Sequence, residues 1–288
     1  MSVTASLLVL AAAVAHATWN FYVKRAGGGG PTFIGLYAAA STVLYLPLAA
    51  LVPVVTGTRP QASWLVASGV SSVLHMAYYL LLSRGYAVGD LSVVYPLARG
   101  TGPLLSVTAA VLLLGERPGT TALVGAAVVI GGVFTIATPS RFGIRGFSAS
   151  PDVLFGVATG AVIAGYTLWD AHAVTALGVP PLVLSWATSA GQVLLLGPHL
   201  LTDRPRAARL WRDSREAVIA VAVLSPLAYV LVLIALQLAP VSVVAPAREL
   251  SIVIGSFMAW RLLHEPQPRR RMSGAAIVLA GVVLLAVH

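Results

Sequence analysis

The chain has 288 residues, of which 58% are hydrophobic and 9% charged, with a mean hydropathy of +0.90 and a formal charge of +9. A soluble domain carries about 25% charged residues, so this composition belongs in a bilayer, where stretches of roughly 20 apolar residues must be helical because lipid leaves no partner for a free amide. The absence of cysteine excludes disulfides, thiolate chemistry and cysteine-ligated metal.

In chain order, spans are predicted near 4–23, 32–55, 63–83, 91–114 and 120–138, then 152–174, 181–201, 217–238, 241–263 and 272–287. The first begins without a charged n-region and continues through Trp19-Asn20 to Lys24-Arg25, which reads as a retained helix and not a cleaved signal. Gly27 to Gly30 before Pro31 is a turn, and 139–151, rich in Gly, Ser and Arg, is the expected linker. Fourteen of the eighteen Lys and Arg residues fall in odd-numbered loops, and only Arg59 and Arg117 in even ones. That bias predicts a cell (inner or plasma) membrane protein with cytoplasmic odd loops and both ends outside. It also accounts for the basic charge without a nucleic-acid partner. The arginines of 204–215 can attract anionic lipid head groups as a secondary role.

The chain repeats itself. At an offset of 150, Trp19-Asn20 meets Trp169-Asp170, Pro31 meets Pro181, Tyr79 meets Tyr229, and Ser92-Val-Val-x-Pro96 meets Ser242-Val-Val-x-Pro246. One residue is then lost, and at an offset of 149 Arg99 meets Arg248, Glu116 meets Glu265, and Gly125 and Gly132 meet Gly274 and Gly281. Five spans per copy is an odd number, so the second copy must be inverted. The expected division is a first five-helix repeat over 1–138, a linker over 139–151 and a second repeat over 152–288, within one all-α membrane domain. Inverted repeats are a common plan of secondary transporters, with the substrate site where the copies meet.

Trp19-Asn20, the Tyr95-Pro96 region, Gly115-Glu116-Arg117-Pro118 and the echo His264-Glu265-Pro266, set in ten duplicated spans, resemble the drug/metabolite transporter superfamily, EamA type, over nearly the whole chain. The resemblance implies a ten-helix inverted-repeat transporter. It also implies a central cavity lined mainly by spans 1, 3, 4, 6, 8 and 9, with spans 5 and 10 peripheral. Members commonly export or exchange amino acids and other small metabolites, so the resemblance fixes no substrate.

A guanidinium inside a membrane span costs about 2.5–3.5 kcal/mol on insertion scales, and this chain places two at matching positions. Arg99, beside Gly100 and Gly102, ranks first as a ligand for a carboxylate, which its planar fork suits. The alternative is an internal ion pair with Asp170 or Glu249. Arg248 and Glu249 are adjacent and would point about 100° apart on a helix, so they need not pair with each other. Pro96 and Pro246 either kink their helices and bare polar backbone, or sit harmlessly in a first turn. His75 and Asp170 are candidates for proton coupling, with Glu249 as a third; a neutral histidine bonded to a hydroxyl is the plainer reading. His16 and His172 also lie within spans. Trp19, Tyr78, Tyr79, Tyr95, Tyr166, Trp169 and Tyr229 supply aromatic walls, and Asn20 and Asp170 occupy equivalent positions in the two copies. The spacings Gly156 to Gly160 and Gly274 to Gly281 read as helix contacts within the fold and not as dimer faces. No ligand spacing for a metal is present, and no cofactor is expected.

The expected substrate-binding residues are therefore Arg99, Arg248, Tyr95, Trp19, Asn20, Trp169, Asp170, His75, Tyr79 and Tyr229. With two arginines against Asp170 and Glu249, the cavity has no net negative field. The expectation is a secondary transporter that exports or exchanges a small anionic or zwitterionic metabolite, such as an amino acid or organic acid, as a monomer or homodimer in the bilayer. A proton-coupled exporter of organic cations is the alternative, kept open by Asp170. An integral-membrane enzyme is the more distant one, since no nucleophile–base pair or phosphate loop is visible.

Overall fold

A computed structural model of the chain describes residues 1–27, 30–88, 91–137, 151–263 and 269–287. Among these there is no strand, and eleven helices follow in order: α1 (Val3–Arg25), α2 (Pro31–Thr56), α3 (Ala62–Val88), α4 (Leu91–Leu113), α5 (Thr120–Ala137), α6 (Pro151–Thr175), α7 (Pro181–Thr202), α8 (Arg204–Leu238), α9 (Val241–Ala247), α10 (Leu250–Leu263) and α11 (Arg269–Val287). They make ten membrane crossings, the ninth being α9 continued by α10. Apart from Pro151, which starts α6, the expected linker lies outside the described residues, as do His264, Glu265 and Pro266.

The helix ends follow local chemistry. Ser2 caps α1 by accepting from the Ala5 amide at 3.2 Å, and Asp203 caps α8 by accepting from the Arg206 amide at 3.2 Å. Pro31 and Pro181 sit in the first turns of α2 and α7, where no amide is needed. Inside the crossings, hydroxyls fold back on the carbonyl four residues earlier, as Thr42 on Ala38 at 2.8 Å and Thr167 on Ile163 at 2.7 Å, which removes unpaired donors from lipid. α8 is longer than a crossing because it starts as a basic segment and then bends at Ser214, whose φ of −131° is not helical.

The packing shows the duplication directly. α1 packs on α8 as α3 packs on α6; α2 packs on α8 as α3 packs on α7; and α2 with α7, and α5 with α11, are self-matching pairs. Exchanging each helix for its counterpart one repeat away reproduces this pattern. Ser41 of α2 donates to the Ala222 carbonyl of α8 at 2.9 Å, and at the positions 150 residues away Gly191 of α7 presses on Ser72 of α3.

The copies differ where the sequence offset changes. α4 runs through position 96 as one helix, but its counterpart stops after Ala247, turns at Arg248-Glu249 and restarts at Leu250. Removing one residue from a helix turns everything beyond it by about 100°; the break lies where the residue is missing and absorbs that rotation. Glu116, just past the end of α4, braces the broken crossing from outside. Its two carboxylate oxygens accept from the Val241 and Ser242 amides at 2.8 and 3.0 Å, a charged cap on the positive end of α9.

Glycines set the closest crossings. Gly156 and Gly160 of α6 meet Leu97 and Thr101 of α4, and Gly125 and Gly132 of α5 meet Gly281 and Gly274 of α11, so these small residues serve helix contacts within the fold. A Cβ on Gly132 would lie 2.8 Å from the Val278 amide nitrogen and 3.0 Å from the Gly274 carbonyl oxygen. Gly132→Ala is therefore expected to lower the melting temperature in detergent, overpacking costing about 1–3 kcal/mol. Gly131→Ala, with nothing within 4 Å of the added carbon, should leave it unchanged, and equal melting temperatures for the two would contradict the close crossing.

Candidate functional site

The helices enclose a cavity of about 120 Å³ whose wall includes His16 and Trp19 (α1), Tyr37 (α2), His75, Tyr78 and Tyr79 (α3), Arg99 (α4), Tyr166 (α6) and Tyr229 (α8). Ser185, Thr188, Ser189 and Gln192 of α7, and Arg248 and Ser251 around the helix break, complete it. Two polar clusters organise this space.

The first is built at the break. Glu249 is 1% exposed, and its Oε2 lies 2.9 Å from Nη2 of Arg99. Arg99 also donates to the Ser251 hydroxyl at 3.3 Å. Because the helix is interrupted there, Arg248 comes within 3.7 Å of the other oxygen of Glu249, Nε to Oε1, although regular helix geometry would hold these neighbours apart. The Arg248 guanidinium lies over the Tyr166 ring, 5.8 Å from its centroid, a cation–π contact that strengthens where water is excluded. Two guanidiniums thus share one carboxylate. Arg99 has the shorter pairing, while Arg248 keeps Nε and Nη2 without a hydrogen-bond partner among the described residues. The ion-pair alternative therefore describes Arg99, although its Nε is also without a hydrogen-bond partner among the described residues; Arg248 has two such nitrogens and the longer ion pair.

The second cluster centres on Asp170, fully buried in α6. The Tyr229 hydroxyl donates to its Oδ2, and His75 Nδ1 lies 3.9 Å from the same oxygen. That nitrogen donates to the Ser71 carbonyl at 2.9 Å, so the imidazole is anchored on its own helix while it faces the carboxylate. Its ring stacks on Tyr166 at 4.3 Å and meets Tyr229 edge-on at 5.1 Å. Asp170 Oδ1 has no hydrogen-bond partner among the described residues. The Ser71 hydroxyl continues the polar path to Thr188 of α7 at 3.0 Å.

Of the residues expected from the sequence, Trp19, His75, Tyr79, Arg99, Tyr229 and Arg248 line the cavity. Asp170 and Glu249 lie directly behind that lining, each held by one of those side chains. Asn20, Trp169 and Tyr95 are not among the lining residues. Successive helical residues point about 100° apart, so each aromatic–polar pair can turn one member inward. In α1 it is Trp19, and Asn20 is exposed, donating to the His16 carbonyl at 2.8 Å. In α6 it is Asp170, and Trp169 donates to the Ala67 carbonyl of α3 at 2.9 Å. Tyr95 is one turn nearer the start of α4 than Arg99 and is 39% exposed.

The contribution of spans 2 and 7 was not expected. Its signal was present: Ser185, Thr188, Ser189 and Gln192 follow i, i+3, i+4 and i+7, a polar stripe on one helix face. The phenol of Tyr37, which bonds Tyr79 oxygen to oxygen at 2.6 Å, carried no such pattern.

Ten crossings in two inverted copies, closed around a charged and aromatic cavity, define a multi-pass membrane transporter. The chain belongs to the EamA-like transporter family, which matches residues 3–138 and again 151–287. Among curated proteins it is similar to the probable 4-amino-4-deoxy-L-arabinose-phosphoundecaprenol flippase subunit ArnE of Salmonella paratyphi B (strain ATCC BAA-1250 / SPB7) and of Salmonella newport (strain SL254). Each is 36% identical over 58 residues, 20% of this chain and 52% of the relative. The chain thus spans about half the length of the curated relatives it matches. A solved crystal structure superposes with a TM-score of 0.76 over 98% of this chain and 96% of its own, at 15% identity, which shows a shared fold.

Removing one partner of a buried ion pair costs about 3–5 kcal/mol because the other charge is left unmatched. Glu249→Gln should therefore lower the melting temperature in detergent markedly, and Arg99→Met on that background should recover much of the loss. A double variant no more stable than Glu249→Gln alone would show that the pair does not hold this junction.

Proposed function

We propose that the protein is a secondary active transporter of the cell membrane that exports or exchanges a small anionic or zwitterionic metabolite, such as an amino acid or an organic acid, by alternating access. The observation that carries this reading is the unequal pairing at the helix break. One carboxylate serves two guanidiniums, and of the three guanidinium nitrogens left without a hydrogen-bond partner among the described residues one, Nε, belongs to Arg99 and two belong to Arg248 on the cavity wall. A substrate carboxylate would complete that fork bidentately. An organic cation would instead meet the unpartnered guanidinium donors of Arg248, which weighs against the multidrug alternative. The lipid-linked sugar named for the Salmonella relatives is a larger solute, and a cavity of about 120 Å³ favours a compact one.

Counterflow in proteoliposomes, with panels of amino acids, organic acids and quaternary amines, tests the reading. Arg248→Lys keeps the charge but loses the fork and should weaken exchange of the best carboxylate about tenfold or more. Arg99→Lys should act more on stability than on affinity. Exchange of amines in preference to carboxylates, or an Arg248→Lys variant as active as the parent, would defeat the proposal.

Asp170 supplies a site for coupling to protons. His75 and Ser71 face it from α3, Tyr229 from α8, and Tyr166 and Arg248 complete its charged and aromatic surroundings. A proton taken up there changes the charge beside the cavity and so ties protonation to substrate occupancy. Asp170→Asn is expected to retain counterflow while losing transport driven uphill by a pH gradient. Uphill transport intact in that variant would remove Asp170 from the coupling.

A further inference from the structure

The polar face of α7 has no role in the carboxylate site. Thr188 and Ser189 settle their hydroxyls on their own helix, at the Leu184 carbonyl (2.9 Å) and the Ser185 carbonyl (3.2 Å). Gln192 does not. Its side chain is 5% exposed, lines the cavity and has no hydrogen-bond partner among the described residues. Its amide instead faces the cavity with its hydrogen-bonding capacity unused by the protein, where leucine would fit a membrane helix better. Nor does the duplication call for it: the equivalent residue 150 positions earlier is Thr42, which bonds back to Ala38 at 2.8 Å. We propose that Gln192 is a specificity-determining residue, reading a neutral hydrogen-bonding group, a hydroxyl or a carboxamide, on a substrate whose carboxylate engages Arg248.

The two points sit on different walls. α7 packs on α2, α3 and α8, whereas α10, which follows Arg248, packs on α1 and α11. A solute touching both must carry polar groups at two places. A primary amide offers a donor pair and an acceptor, which matches a hydroxyl or carboxamide on both counts. A cationic group would use the oxygen alone, and a hydrocarbon end would leave the whole amide unpaired. That last outcome is where discrimination arises, because a site built to bond a polar group strongly rejects the isostere lacking it.

This inference rests on the carboxylate reading, and the test separates the two. Binding to the purified full chain is measured by calorimetry for isosteric pairs: threonine with valine, asparagine with leucine, and 3-hydroxybutyrate with isovalerate. In at least one pair the polar member should bind tenfold or more tighter than its apolar partner. Gln192→Leu should bring that ratio within about twofold while the apolar member still binds, and it should melt no lower than the parent, since it removes an unpaired amide. Gln192→Asn should fall between. Carboxylates that bind without preferring the polar member, or a preference that survives Gln192→Leu, would overturn the role of Gln192 and leave the carboxylate site standing. A chain that binds none of the carboxylates, or binds tetraethylammonium instead, would overturn both.

Discussion

Two guanidiniums sharing one carboxylate inside a membrane is the constraint on which the rest of this molecule depends. Neither arginine is tolerable alone at that depth, and Glu249 has room to serve both only because the ninth crossing is broken beside it. The break also leaves Arg248 incompletely matched, pressed on the face of Tyr166 with donors to spare. A fully paired cluster would hold helices together and do nothing else. An unevenly paired one holds α4 to α9 and α10 through Arg99 and leaves two nitrogens of Arg248 without a hydrogen-bond partner among the described residues, the feature on which the proposed carboxylate site rests.

The second consequence of the duplication is asymmetry. α4 packs closely along α6, through Gly156 and Gly160. The equivalent seam in the other copy, α1 against α10, is much more sparsely packed, a Cβ placed on Gly255 still lying 4.0 Å from that of Ala17. Two related five-helix units therefore hold two different arrangements at matching seams. Packed interfaces tend to have discrete settings and not a continuum. On the alternating-access reading proposed above, exchanging these two settings between the copies would switch the side to which the cavity opens.

Much of this was legible beforehand, for definite reasons. The crossings, their boundaries within a few residues and the repeat register follow from hydropathy and spacing, and a membrane makes that signal strong. The one-residue change of offset between Pro246 and Arg248 marked the place of the helix break, although spacing alone did not say that the helix would stop there. What spacing could not convey was rotational phase. Trp19 with Asn20, and Trp169 with Asp170, are equivalent in sequence, yet opposite members face inward. Pair choice was also hidden, because Asp170 and Glu249 were equal candidates for Arg99 until the break placed one of them against it. The α7 stripe was visible as a pattern, but polar residues on a helix carry no label saying whether they face a cavity or satisfy their own backbone; in this chain Thr188 and Ser189 do both.

The polar contacts also explain why the two copies act as one body. Glu116 belongs to the first copy and caps α9 of the second; Trp169 and Trp186, of the second, donate to Ala67 and Thr42 of the first; Arg99 of the first is neutralised by Glu249 of the second. Either copy alone would bury the charge of Arg99 unmatched and leave the first amides of α9 without acceptors, penalties that lipid does not relieve. Any exchange between the two settings must therefore keep these pairs together. The tip of α9 stays tied to the end of α4 through Glu116, and the middle of the same crossing stays tied through Arg99. On the proposed alternating-access reading, the rearrangement would fall on seams joined by apolar contact, which no hydrogen bond crosses among the described residues. α1 against α10 is such a seam, and it is the one already loosened.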